Sequence, residues 1–215
     1  MPESPSTCRC SDVSADLAWV AGAVGVDVVA HDHLVGGVAS TVLRCRLAGQ
    51  AESLVLRVLD DRSLLRREPD IIDREVESLN ILATTPLPTP VLVAAEYTPD
   101  VGRLLMTWID GRVVIDPSEL EGRVQALAGV AVAIASTPLA ADHQLTPWRS
   151  WVGTESEPPT WGDPGLWREA IDIHRNEEPP SPSTPVLLHR DLHPLNVLWS
   201  IERPAVVDWV NACVG

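Results

Sequence analysis

Lysine and phenylalanine are absent from this 215-residue chain, and all 16 of its basic residues are arginine. Any task that an ammonium performs elsewhere must here fall to a guanidinium or stay vacant. Cations are also outnumbered: 16 arginines face 30 acidic residues, for a net charge of −14. A surface for nucleic acid or anionic lipid needs clustered positive charge, so no nucleic-acid partner and no membrane partner is expected. A cationic ligand is compatible with the balance. Cysteine is sparse. Cys8-Arg9-Cys10 is too tight for a zinc pair, and Cys45 and Cys213 supply no second pair nearby. Unpaired thiols in a reducing compartment are the expectation. The longest apolar run, near residues 126–135, falls well short of a membrane span, and no basic region followed by an apolar core opens the chain. A soluble cytoplasmic protein is expected, its oligomeric state unreadable. A hydrophobic fraction of 45% is enough to build a core.

What is present reads as an ordered series of elements without an internal repeat. Residues 1–12 are polar and read as a tail. Ser14 is placed to cap a helix from Ala15 to Val24, with Leu17, Ala18, Val20 and Ala21 as its apolar part. Within Leu34–Leu47, Gly36-Gly37 lies between two segments of strand character, Leu34-Val35 before it and Thr41–Leu47 after it, and Ser53–Leu59 follows as another strand. Ile72, Val76, Leu79 and Leu82 recur at helical spacing in a helix from Asp70 to Leu82, which Pro86, Pro88 and Pro90 end. Val91–Tyr97 and Arg103–Ile109 are two more strands around a Pro-Asp-Val-Gly turn. After the leading helix the order is therefore β-β-β-α-β-β. Asp116-Pro117 opens a helix that runs to about Ala135, with Leu120, Val124, Leu127, Ala131 and Ile134 as its expected buried stripe. Residues 138–185 are rich in proline and tryptophan. Trp148, Trp151, Trp161 and Trp167 there either pack a loop onto the core or stack on a ligand, around a helix at Pro164–His174.

The chemistry concentrates near the C-terminal end. Val186-Leu187-Leu188 delivers the chain to His189-Arg190-Asp191-Leu192-His193-Pro194-Leu195-Asn196, and two short strands then lead to Asp208-Trp209. Phosphoryl transfer requires a group that orients and deprotonates an attacking hydroxyl, together with hard oxygen ligands for Mg²⁺. Asp191 can be the base; Asn196 and Asp208 can be the metal ligands. His189 and His193 could also be read as part of a zinc cluster, but His143 and His174 add no ligand pattern.

The run H-x-D-x-x-x-x-N, followed after a hairpin by aspartate, resembles the signature of the protein-kinase-like fold. HRDLHPLNVLW followed by AVVDW is similar to the aminoglycoside phosphotransferase and choline kinase branch of small-molecule kinases. His193 and Trp209 carry that distinction. Arg190 departs from the branch, where glycine is commoner. The resemblance implies an α+β, two-lobed fold: an N-terminal ATP-binding lobe over 13–109, an antiparallel sheet plus helix, and a mainly helical catalytic lobe over 110–215 with a catalytic hairpin. It implies a phosphotransferase that uses ATP and Mg²⁺ to phosphorylate a hydroxyl of a small molecule. Gly37 and Ser40 fall at the phosphate-covering loop. Arg57 falls where the third strand carries a basic residue, often lysine, and Glu75 is its implied partner on the following helix, with Glu77 as the competitor. Met106, Thr107 and Ile109 fall at the hinge that meets adenine. The chain stops at Gly215, seven residues after Asp208, where the family continues with further helices. The resemblance therefore also implies an incomplete C-terminal lobe, and a truncated or catalytically silent nucleotide-binding protein is the alternative reading. Aminoglycoside, macrolide, choline-like, sugar and amino-alcohol acceptors are all compatible with it.

Overall fold

Strand alternation in Ser53–Leu59 fixes the architecture, because successive side chains must serve opposite faces of one sheet. Leu56 and Val58 join one apolar cluster, while Val55 and Leu59 join another on the opposite face. The computed structural model of the chain describes residues 13–35, 40–149, 158, 160, 162–176, 184–200 and 203–215.

Helix α1 (Val13–Val24) leads into β1 (Val28–His33), β2 (Thr41–Leu47) and β3 (Ser53–Leu59). A short α2 (Arg62–Arg67) and the longer α3 (Ile71–Leu82) follow, then β4 (Leu92–Tyr97) and β5 (Gly102–Thr107). The five strands form one antiparallel sheet in the order β1-β2-β3-β5-β4. Helix α1 covers one face through Val20 against Leu43, Cys45, Leu47, Leu56, Val58 and Leu105. Helix α3 covers the other through Ile71 and Ile72 against Leu59, Leu104 and Met106. Asp16, buried on the sheet side of α1, accepts a hydrogen bond from Arg103 Nε at 2.8 Å, which ties that helix to β5.

The rest of the chain is mainly helical: α4 (Pro117–Glu121), α5 (Val124–Ala135) and α6 (Pro164–Asn176), then the pair β6 (Leu187–Leu188) and β9 (Cys213–Val214), and the hairpin β7 (Val197–Trp199) with β8 (Pro204–Val206). One cluster joins this part to the sheet part: Leu79 and Leu82 of α3 pack with Val130 and Ile134 of α5, Leu187, Val206 and Trp209. Among the described residues no helix is long and apolar enough to cross a membrane.

Four local expectations change. The leading helix starts at Val13, so Ser14 lies inside it and is not its cap. The strand before Gly36 is Val28–His33, not the Leu34–Val35 stretch. The helix drawn from Asp116 to Ala135 is two helices, with Gly122 and Arg123 between them. Asp116 does cap the first, accepting from Ser118 N at 2.9 Å. Of the expected stripe only Ile134 is buried; Leu120 and Leu127 are half-buried, Ala131 is exposed, and Val124 is 59% exposed. The sequence VQALAGVAVAIA is apolar on every side, so spacing alone does not select a face. Trp148 is exposed and Trp167 half-buried, while Trp151 and Trp161 lie outside the described residues.

Candidate active site

Arg57 lies on the α3 face of β3 by strand alternation, and α3 turns Glu75 back toward it. Arg57 Nη1 donates to both Glu75 oxygens at 3.0 Å. Glu77 points elsewhere and accepts from Gln144 N at 3.0 Å. The same Nη1 donates to Asp208 Oδ1 at 2.7 Å, and Arg57 Nε donates to Ser40 Oγ at 3.2 Å. One buried guanidinium thus serves two carboxylates. Burial opposes the Arg57 charge, but Glu75 and Asp208 outweigh it and hold the pKa above its ordinary value. Burial raises the Glu75 carboxyl, against the pull of Arg57, and the negative charge of Asp208 adds to the rise.

The loop around Asp191 is braced from both sides. His189 is buried edge-on against Trp209, with ring centroids 4.5 Å apart. Its Nδ1 accepts the Asp191 N–H at 3.3 Å, which leaves Nε2–H to donate to Val207 O at 3.0 Å. One imidazole therefore links the residue that carries the candidate base to the residue before the candidate metal aspartate. Burial keeps the His189 pKa below its ordinary value, so the ring is neutral at pH 7. Asn196 Nδ2 donates to Asp191 O at 2.9 Å and sits 3.4 Å from Asp191 Oδ2. His193 Nε2 lies 3.4 Å from Asp191 Oδ1.

Two backbone positions are left-handed without glycine: Arg190 at φ 64° and Asp208 at φ 66°. Such a backbone favours glycine, which explains why glycine suits the position of Arg190. Arg190 Nη2 donates to Arg149 O at 2.6 Å and anchors the turn.

Beside these residues lies a cavity of about 350 Å³. Ser40, Arg57, Glu75, Met106, Thr107, Ile109, Asn196 and Asp208 all line it. Asp191 is not in its wall but is one hydrogen bond away, through Asn196. Gly37 lies outside the described residues. Sequence reasoning missed the apolar walls, which include Val42, Val55, Leu198 and Val207. Their signal was strand alternation next to a recognised polar residue: Val55 precedes Arg57 by two positions. It also missed the Arg57–Asp208 contact, which spans 151 positions of chain.

The donors fit a hard cation. The Asn196 amide nitrogen is spent on Asp191, which turns its Oδ1 away from that bond, and Asp208 keeps Oδ2 beyond the oxygen held by Arg57. An amide oxygen and a carboxylate, with phosphate and water, match what Mg²⁺ takes. The apolar walls and single arginine likewise fit a planar base with a charged tail.

A sequence model of the phosphotransferase enzyme family matches residues 34–215. The chain belongs to this family. Among curated protein sequences no relative matches this phosphotransferase. Solved structures resemble it throughout. A thermostable mutant of the aminoglycoside phosphotransferase APH(4)-Ia, in complex with ADP and hygromycin B, is 22% identical with a TM-score of 0.63, over 94% of this chain and 72% of that one. Spectinomycin phosphotransferase APH(9)-Ia, with ADP and spectinomycin, is 14% identical with a TM-score of 0.57, over 94% and 69%. A putative fructosamine-3-kinase from Haemophilus somnus 129PT is 15% identical with a TM-score of 0.53, over 90% and 70%. These likenesses show the fold: the phosphotransferase has the two-lobed protein-kinase-like architecture, with a five-stranded antiparallel sheet in its N-terminal part.

Proposed function

We propose that this phosphotransferase moves the γ-phosphoryl group of ATP to a hydroxyl of a small molecule. The observation that carries the reading is the convergence of Arg57, paired with buried Glu75, and of Asn196 and Asp208 on one cavity beside Asp191. Arg57 holds phosphate oxygens, and Glu75 keeps the guanidinium aimed. Met106, Thr107 and Ile109 receive the base, and Gly37 and Ser40 cover the phosphates. Asn196 and Asp208 hold Mg²⁺, which when bound offsets the charge of the phosphate oxygens. The Asp191 carboxylate orients the acceptor hydroxyl and takes its proton. The acceptor oxygen forms a bond to the γ-phosphorus as the bond from that phosphorus to the ADP oxygen breaks, and Asp191 later returns the proton to water. Positioning and charge stabilisation supply most of the rate.

Two of the similar structures hold aminoglycoside-type ligands, hygromycin B and spectinomycin. A net charge of −14 suits a cationic acceptor of that class. The test is an ADP-release assay with a panel of amino-sugar, amino-alcohol and sugar acceptors. Acceptor-dependent turnover is expected in the native protein, with a loss of at least about a thousandfold in Asp191→Ala. Turnover unchanged in Asp191→Ala overturns the assignment of the base; ADP binding without turnover for any acceptor favours a silent nucleotide-binding protein.

A further inference from the structure

A guanidinium carries donors on each of its nitrogens in one rigid plane, and Arg57 has spent all but one of those nitrogens. Nη1 donates to both Glu75 oxygens and to Asp208. Nε donates to Ser40 Oγ at 3.2 Å. Nη2 makes no hydrogen bond among the described residues. The sheet register explains how Ser40 comes to be there. Val42 on β2 is paired with Arg57 on β3. Ser40 lies two residues before Val42, so alternation puts it on the same face, at the diagonal position that a long side chain reaches. Thr41 falls between them and belongs to the other face, paired with Val58. Ser40, Val42 and Arg57 all line the cavity.

We propose that Ser40 is a positioning residue whose hydroxyl takes the Arg57 Nε–H and so fixes the rotation of the guanidinium, leaving Nη2 for a phosphate oxygen of the nucleotide. The inference rests on the nucleotide-binding reading above and deepens it. A plane held only at Nη1 can turn about that nitrogen and swing Nη2 away. A second anchor at Nε removes this freedom, so the donor is ordered before the ligand arrives and less entropy is lost on binding. The device depends on arginine at this position of β3. A lysine brings its donors to a single point and has no separate nitrogen for Ser40 and for the Glu75 and Asp208 pair. Arg57→Lys therefore keeps the charge and discards the anchor.

The experiment measures ADP and adenosine affinity by calorimetry, with magnesium, for the native protein, Ser40→Ala, Ser40→Thr, Arg57→Lys and the variant that combines Ser40→Ala with Arg57→Lys. In Ser40→Ala, ADP affinity should fall about three- to tenfold, the worth of one hydrogen bond, while adenosine affinity holds because adenosine carries no phosphate. Ser40→Thr keeps a hydroxyl and should retain ADP binding. In the Arg57→Lys background, Ser40→Ala should cost less than about twofold, because the bond it removes is already gone. Urea unfolding without nucleotide reads the same coupling where Arg57→Lys binds ADP weakly: Ser40→Ala should destabilise the native protein more than it destabilises Arg57→Lys. An equal loss in both backgrounds means that Ser40 acts independently of Arg57, and overturns the inference. So does a loss shared by ADP and adenosine, which marks a purely structural serine. A native protein that binds neither ligand overturns the nucleotide reading, and this inference with it.

Discussion

At Arg57 one guanidinium lies 3.0 Å from Glu75 and 2.7 Å from Asp208, so its removal would leave two carboxylates facing each other. Removal of Glu75 does the reverse and leaves a buried cation with one partner. Breaking a buried pair in this way costs about 3–5 kcal/mol. Glu75→Ala is expected to lower unfolding stability by roughly 3 kcal/mol in urea titration, and to raise the KM for ATP as the guanidinium loses its aim. A second prediction concerns His189. Its folded pKa lies below the ordinary 6.5, because burial disfavours the charged ring. The unfolded chain therefore binds a proton that the folded chain refuses. The stability contributed by neutral His189 is complete above pH 6.5 and is lost as pH falls from there through the folded pKa. Melting temperatures taken from pH 7.5 down to 5 should show this slope in the native protein and a shallower one in His189→Gln. At this scale Asp191, Asn196 and Asp208 stood out from the sequence as a set, and the structure brings Asn196 and Asp208 to one cavity with Asp191 a hydrogen bond away. The resemblance implied Glu75 with Glu77 as competitor, and the structure pairs Arg57 with Glu75. The Arg57–Asp208 contact was not readable, because nothing local connects residues 151 positions apart.

Among elements, α3 matters most, since it carries Glu75 and closes one face of the sheet. It approaches β5 where Gly102 has no side chain: a Cβ there would lie 2.5 Å from Ile72 Cδ1 and 2.6 Å from Ile72 Cγ1. Ile72 is one turn before Glu75 on the same face of α3. Gly102→Ala must displace the Ile72 side chain, which packs under the turn that carries Glu75. We expect a loss of about 1–3 kcal/mol in denaturant unfolding, accompanied by weaker ATP binding. An alanine that left nucleotide affinity untouched would show that α3 does not transmit the shift to Glu75. Strand order and the α3 helix were legible because their periodicities of 2 and 3.6 are distinct. The six residues of α2 are too few to show a period, and Arg62–Arg67 carries no sequence mark beyond the Asp61 that caps it. The apolar α5 gave a helix but not its buried face, which contacts with α3 and Leu187 decide.

For the whole molecule the decisive feature is the cluster that unites Leu79 and Leu82 of α3 with Val130, Ile134 and fully buried Trp209. The two parts share this core, so neither can open without exposing the other. One cooperative transition is expected, with tryptophan fluorescence and far-ultraviolet circular dichroism tracing the same curve in denaturant. Two separated transitions would show that the parts fold independently. Trp209→Ala is expected to cost about 3–5 kcal/mol and to shift both probes together. Net charge contained nothing about how the parts meet, because that depends on apolar packing.

The guanidinium at Arg57 also decides how this protein can be found in a mixture. Reagents that profile nucleotide sites by acylating an amine near the phosphates need a lysine there, and this chain has none anywhere. It would pass through such a survey unlabelled, however active. Dicarbonyl reagents, which condense with guanidinium groups, would instead modify its arginines, and peptide mapping would single out the adduct at Arg57 from those at the other 15. Protection of that site by nucleotide would give a mass-spectrometric footprint of occupancy that requires no knowledge of the acceptor.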